Sequence, residues 1–264
     1  MAAEHADAGG RDWRDYLLAF SVALGLAAGG FLLANLLSIP LVIVFSVIDT
    51  SLRSAVGTAA STLVQGIAFV LVVLGYMRYG DHPRLLDIRW PSLSRLRRTL
   101  RDAGWVVAGF VVLLIASQAV GLVLQQFGLA PGTNRVVDAV RADPTLALYL
   151  VVLSFLATGP GEEVLFRGGV QGVLRRVLSP VGAVIGSSAL FGLAHVTAIV
   201  AASGAGGVWG YVVSTFVLGI VLGALYEYTD NLLVPILVHG AYNAVLFVQL
   251  YLVETSSLGF LPTL

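Results

Sequence analysis

The sequence predicts an all-α fold, a polytopic transmembrane helical bundle with about seven spans. Three observations lead there. Of the 264 residues, 58% are hydrophobic and 11% charged, and the mean hydropathy is +0.91, far from the usual soluble mixture. The apolar residues fall in runs of roughly the 20 needed to cross a bilayer core, parted by short polar stretches. The basic residues, all 15 of them arginine, gather in alternate connections.

Taken in order, residues 1–15 are small and polar, with Arg11 and Arg14 just ahead of the first apolar run. They read as a cytoplasmic N-terminal tail and lack the small-residue cleavage site of a secretory signal. Residues 16–264 read as one transmembrane domain. Its apolar runs are Tyr16–Val47, Ala55–Met77, Gly104–Phe127, Thr145–Leu174, Val181–Ala202, Trp209–Tyr226 and Leu232–Val253. Pro40 in the first run is expected to kink that helix or end it early. Arg78–Asp102 reads as a solvated, topology-setting loop in preference to an amphipathic helix lying on the membrane, although Leu93, Leu96 and Leu100 alternate with its arginines. Pro131–Asp143 reads as a short external loop. Gly168/Gly172, Gly182/Gly186 and Gly219/Gly223 are spaced one helical turn apart, which suits close packing between helices.

With the N-terminus in the cytoplasm, Arg11, Arg14, seven arginines from Arg78 to Arg101, Arg175 and Arg176 lie on one side, eleven in all. Arg53, Arg135 and Arg141 lie on the other. This bias sets the cytoplasmic side of a multi-pass cell-membrane protein and puts the C-terminus outside. Formal net charge is zero and cysteine is absent, which excludes a disulfide framework, thiolate metal ligands and a cysteine nucleophile. The expected surroundings are a lipid bilayer, with no nucleic-acid partner. No internal repeat is apparent, which weakens an inverted-repeat transporter.

Ionisable groups in a spanning segment cost about 2.5–3.5 kcal/mol each, so they mark compensation or function. Here they are Glu162, Glu163, Arg167 and His195, joined in the last run by His239 and Asn243. Counting helical rise from the cytoplasmic ends puts these groups at a depth of about 12–22 Å, so three spans bring polar groups to one level. Gly159-Pro160-Gly161 is expected to break the fourth span and restart it, leaving both glutamates in a first helical turn. Glu163 and Arg167, four residues apart, can neutralise each other within the helix. Glu162 points about 100° away and needs another partner, for which the histidines are the candidates.

For any one of these residues, a buried network that only holds helices together competes with chemistry. The combination of a spare carboxylate, two imidazoles and an amide favours chemistry. A carboxylate beside an imidazole can hold and deprotonate water, which assigns that work to Glu162 and His195. His239 and Asn243, about 6 Å apart along a helix, can donate hydrogen bonds to one developing oxyanion. The same groups offer an alternative in which Glu162, His195 and His239 are zinc ligands. No H-E-x-x-H helix supports it, so water activation without a cofactor is preferred. Gly-x-Ser-x-Gly is absent, and Ser187 and Ser188, two turns before His195, are better explained by packing.

Glu162-Glu163-Val164-Leu165-Phe166-Arg167 matches E-E-x-x-x-R, Phe191-Gly192-Leu193-Ala194-His195 matches F-x-x-x-H, and His239-Gly240-Ala241-Tyr242-Asn243 matches H-x-x-x-N. In this order the motifs resemble those of the CPBP family of intramembrane endopeptidases, which includes CAAX prenyl proteases and bacteriocin-processing or immunity proteins. The resemblance covers about residues 156–246, with Pro235 also similar. It implies an all-helical membrane enzyme with Glu162 and His195 as water activators and His239 and Asn243 as oxyanion donors. Glu163 and Arg167 would be a supporting pair, and Phe191 would fix its helix by packing. The partner implied is a membrane-associated protein or peptide substrate, with removal of the C-terminal tripeptide of prenylated CAAX-type proteins as the leading reaction. A non-catalytic scaffold or immunity protein and a proton-coupled transporter are the alternatives.

Overall fold

In the computed structural model, the described residues are 12–80, 85–132, 134–199 and 204–256. They form α1 (Trp13–Val47), α2 (Ala55–Tyr79), α3 (Leu93–Gln126), α4 (Arg135–Ala142), α5 (Thr145–Leu174), α6 (Pro180–Ala198), α7 (Gly204–Thr229) and α8 (Leu233–Thr255). Every one of these but α4 is long and apolar enough to cross a membrane, giving seven among the described residues. The chain is an all-α, multi-pass membrane protein, and among the described residues the single extended pairing is an isolated bridge between Asn134 and Ile199.

Local chemistry sets several helix starts. Ser54, Asn134 and Ser179 each accept a hydrogen bond from the backbone N–H three residues on, satisfying donors that a helix start leaves open. Pro180 follows Ser179 at the first helical position of α6, where its missing N–H costs nothing.

Five expectations change. Pro40 does not end α1, which continues to Val47. The Arg78–Asp102 stretch is not all loop: α3 begins at Leu93 with a short 3₁₀ turn, so Arg95–Arg101 ride on the first turns of the helix whose apolar run sequence places at Gly104. Ser92 and Thr99 tie that start together, because the Thr99 hydroxyl donates to the Ser92 carbonyl and accepts from its N–H. The Pro131–Asp143 connection contains α4, whose Asn134 cap and Val140 core contact make a helix out of a short polar stretch. Of the expected tail, residues 1–11 lie outside the described residues, and Trp13, Arg14 and Asp15 form the first turn of α1.

Nor does α5 break at Gly159-Pro160-Gly161. Wider π-helical turns at Ser154–Thr158 and Val164–Gln171 flank that segment, and the backbone stays right-handed helical through it. A π-turn absorbs a proline whose ring and missing N–H would disrupt a regular i→i−4 ladder. The dipole argument for a restarted helix therefore does not apply to Glu162.

Helix α5 is the hub, packed by α1, α2, α6 and α8. In α5, α7 and α8 39% of the apolar window is buried inside the protein, against 17% and 11% in α1 and α3. The latter two present leucine, isoleucine and valine outward, as suits lipid-facing helices. Glycines permit the closest approaches. Gly66 on α2 lies against Gly161 and Ala157 on α5, and Gly219 and Gly223 on α7 lie against α5 and α6.

Candidate active site

Three helices bring six of the predicted residues together: Glu162, Glu163 and Arg167 from α5, Phe191 and His195 from α6, and His239 from α8. The buried base of the site is Glu163, at 0% side-chain exposure, with Arg167 at 1%. Glu163 Oε1 accepts from the Arg167 guanidinium at 3.1 Å and from His239 Nδ1 at 2.7 Å. Arg167 also donates to the Gly219 carbonyl at 3.0 Å and lies over the Phe191 ring, 4.6 Å from its centroid. A charge buried this deeply is tolerable because it is paired and further hydrogen-bonded.

Above this base sits Glu162, 13% exposed, with Oε2 3.9 Å from His195 Nε2 and 3.9 Å from His239 Nε2. These gaps exceed direct hydrogen bonds. Glu162 Oε2 is buried with no hydrogen-bond partner among the described residues. A buried polar atom without a protein partner calls for a water or a substrate group.

Each imidazole is oriented through its other nitrogen. His195 Nδ1 is 2.8 Å from the Phe191 carbonyl oxygen, and His239 Nδ1 faces the Glu163 carboxylate. Both acceptors lack hydrogens, so both rings carry a proton on Nδ1 and turn Nε2 towards Glu162. Phe191 packs edge-on against His195, His239 and Phe166, so it holds ring positions from both helices. Asn243 lies one turn beyond His239 on α8 and is half-buried.

The sequence-level division into two independent groups is thus modified. Glu163–Arg167 is not a closed pair, because His239 joins it to Glu162. Ser187 donates to the Phe166 carbonyl at 2.7 Å and Ser188 packs beneath Gly219, so both serines serve packing. For zinc, three donors would have to lie about 2.0–2.2 Å from one point. Among the described residues no group of three or more His, Asp or Glu side chains is arranged to do so.

Two contributors were not anticipated. Gln171, buried on α5, donates to the Gly223 carbonyl and to Glu227, which pairs with Arg175 at 3.1 Å. Its spacing from Arg167, four residues on the same helix, was a usable signal. Tyr211 stands with its ring 6.1 Å from His195 and its hydroxyl accepting from Asn134. Nothing in an aromatic residue of an apolar run marked it.

Comparison with known proteins agrees with the motif resemblance. The model of the family described as Type II CAAX prenyl endopeptidase Rce1-like matches residues 144–245, the stretch that runs from the start of α5 to two residues past Asn243. No curated protein and no solved structure matches the chain.

Proposed function

We propose that the chain, whose residues 144–245 match the model of the Type II CAAX prenyl endopeptidase Rce1-like family, belongs to that family and is an intramembrane endopeptidase that hydrolyses peptide bonds with glutamate-activated water. The observation carrying this reading is the position of Glu162 Oε2, unpartnered and 3.9 Å from the Nε2 atoms of both His195 and His239.

A water within reach of Glu162 Oε2 and His195 Nε2 loses a proton to Glu162 as its oxygen attacks the scissile carbonyl. The carbonyl electron pair moves onto oxygen. His239 Nε2–H and the Asn243 amide donate to that oxyanion. Since Nδ1 of His239 already donates to Glu163, the ring has a hydrogen on Nε2 only as an imidazolium. In that form the charges of Glu162, Glu163, Arg167 and His239 sum to zero. Collapse of the intermediate breaks the C–N bond, and the proton held by Glu162 passes to the leaving amine. Glu163 and Arg167 hold His239, and the Phe191 carbonyl holds His195.

The proposed substrates are membrane-associated proteins or peptides, first among them prenylated CAAX-type proteins losing their C-terminal tripeptide. The proposed orientation in the cell membrane has the N-terminus in the cytoplasm and the C-terminus outside, as the arginine distribution favours.

The test is cleavage of a prenylated CAAX peptide, and of a panel of membrane peptides, by purified protein. Glu162→Gln keeps the shape of the side chain and removes the base. A loss of about 10²–10⁴-fold is expected, with His195→Ala lowering the rate as well. Unchanged cleavage in both variants would sink the assignment. If deletion of the protein abolishes a cellular phenotype that Glu162→Gln leaves intact, the scaffold reading replaces it.

A further inference from the structure

A second polar site lies at the arginine-rich end of the bundle. There, residues 85–92 cross beneath the α7–α8 junction, fastened by hydrogen bonds from Leu232 N–H to the Asp87 carbonyl at 2.7 Å and from Arg89 N–H to Asn231 Oδ1 at 2.8 Å. Between this strap, the first turns of α3 and the start of α8 is a cavity of about 460 Å³, within the roughly 300–1,000 Å³ of small-molecule sites.

The cavity is amphiphilic. Arg89, Arg95, Arg98, Ser92, Ser94 and Thr99 line its polar part, while Val106, Leu233 and Leu237 line an apolar part. The acid in its wall, Asp102, is already engaged: it accepts from Asn231 at 3.0 Å and faces Arg101 at 3.4 Å and Arg89 at 3.9 Å. Arg95 and Arg98 have no ion-pair partner among the described residues. Arg89 engages Asp230 and the Thr229 carbonyl, yet its Nε is buried without a hydrogen-bond partner. Such an orphan donor, in one cavity with two guanidinium groups that lack an ion-pair partner among the described residues, calls for an anionic acceptor.

Surrounding side chains say where that anion comes from. Trp90, Leu93, Leu96 and Leu100 are all exposed at this level, Trp90 by 75% and Leu93 by 92%. Tryptophan and leucine beside arginine, at the end of a spanning helix, mark the depth of lipid head groups.

We propose that this cavity binds the phosphodiester head group of an anionic phospholipid. The phosphate is held by Arg89, Arg95 and Arg98, and the first carbons of the lipid lie along Val106, Leu233 and Leu237. A free phosphate would satisfy the arginines and leave the apolar part uncovered. The proposal is independent of peptide hydrolysis at Glu162.

The test titrates the full chain in detergent micelles with phosphatidylglycerol or phosphatidylcholine. It counts bound lipid by native mass spectrometry, together with the shift in unfolding midpoint. The wild-type chain is expected to retain one phosphatidylglycerol in preference to phosphatidylcholine. Arg95→Gln and Arg98→Gln, both at exposed positions, are each expected to weaken that preference about fivefold. Arg97→Gln removes the same charge from the same turn but lies outside the cavity lining, and is expected to keep it. Equal retention of the two lipids by the wild type, or an Arg97→Gln loss as large as that of Arg98→Gln, overturns the proposal. So does displacement of the lipid by millimolar inorganic phosphate. The comparison of lipids on the wild-type chain decides the matter even if a variant fails to fold.

Discussion

His239 shares Glu163 with Arg167: Nδ1 of the imidazole is 2.7 Å, and the guanidinium 3.1 Å, from the same carboxylate oxygen. This contact links the supporting pair on α5 to the proposed oxyanion donor on α8, so damage to the pair is expected to reach the chemistry.

Glu163→Gln would leave the Arg167 guanidinium buried without its counter-charge. Removing one partner of a buried pair costs about 3–5 kcal/mol, which predicts a clear fall in the unfolding midpoint in detergent. Adding Arg167→Met removes the stranded charge, and the double variant is expected to recover more than half of the loss. Peptide cleavage is not expected to return with it, because His239 still lacks its carboxylate partner. Recovery of both would mean that His239 does not depend on Glu163.

His239→Ala and Asn243→Ala each remove a proposed oxyanion donor. A single donor of this kind contributes about 10²–10³ in kcat, so kcat is expected to fall by that order with KM little changed. Asn243 is half-buried, so its alanine variant is expected to unfold within a few degrees of wild type. A rise in KM with unchanged kcat would reassign Asn243 to ground-state substrate binding.

Helix α2 closes on α5 through Gly66. A methyl group there would stand 2.6 Å from the Ala157 carbonyl oxygen, and the obstructing atoms are backbone. Gly66→Ala therefore has to move two helices, with an expected cost of about 1–3 kcal/mol. Gly75, on the same helix, has nothing within 4 Å of the corresponding position, and Gly75→Ala is expected to be neutral or slightly stabilising. Thermal unfolding of the two variants separates the close approach from a general effect of glycine.

Chelation distinguishes the two ways of activating water. Since the side chains around Glu162 are not arranged around a common metal position, activity is expected to survive prolonged treatment with a strong chelator, with zinc far below one equivalent by elemental analysis. Loss of activity together with stoichiometric zinc would establish ligation by Glu162, His195 and His239.

Much of this protein could be read from local sequence. Hydrophobic run length identifies the seven spanning helices because the bilayer thickness leaves few alternatives. The cost of charge in hydrocarbon singles out Glu162, Glu163, Arg167, His195 and His239 before any contact is known. Helical spacing pairs Glu163 with Arg167. The start of α3 at Leu93, the helix in Arg135–Ala142 and the unbroken path of α5 through Pro160 were not legible in the same way. Each depends on contacts outside its own segment or on π-turns that have no compositional mark.

The polar groups inside the membrane were therefore determined by sequence alone, and their division of labour by tertiary structure. Sequence spacing leaves Glu163 satisfied by Arg167 and Glu162 in search of a partner. Only the packing of α5, α6 and α8 decides that one imidazole is held by Glu163, the other by the Phe191 carbonyl, and that both turn Nε2 to Glu162. The physical reason is that a hydrogen bond between helices depends on their relative rotation and depth to within an ångström, and no periodicity within one helix carries that information.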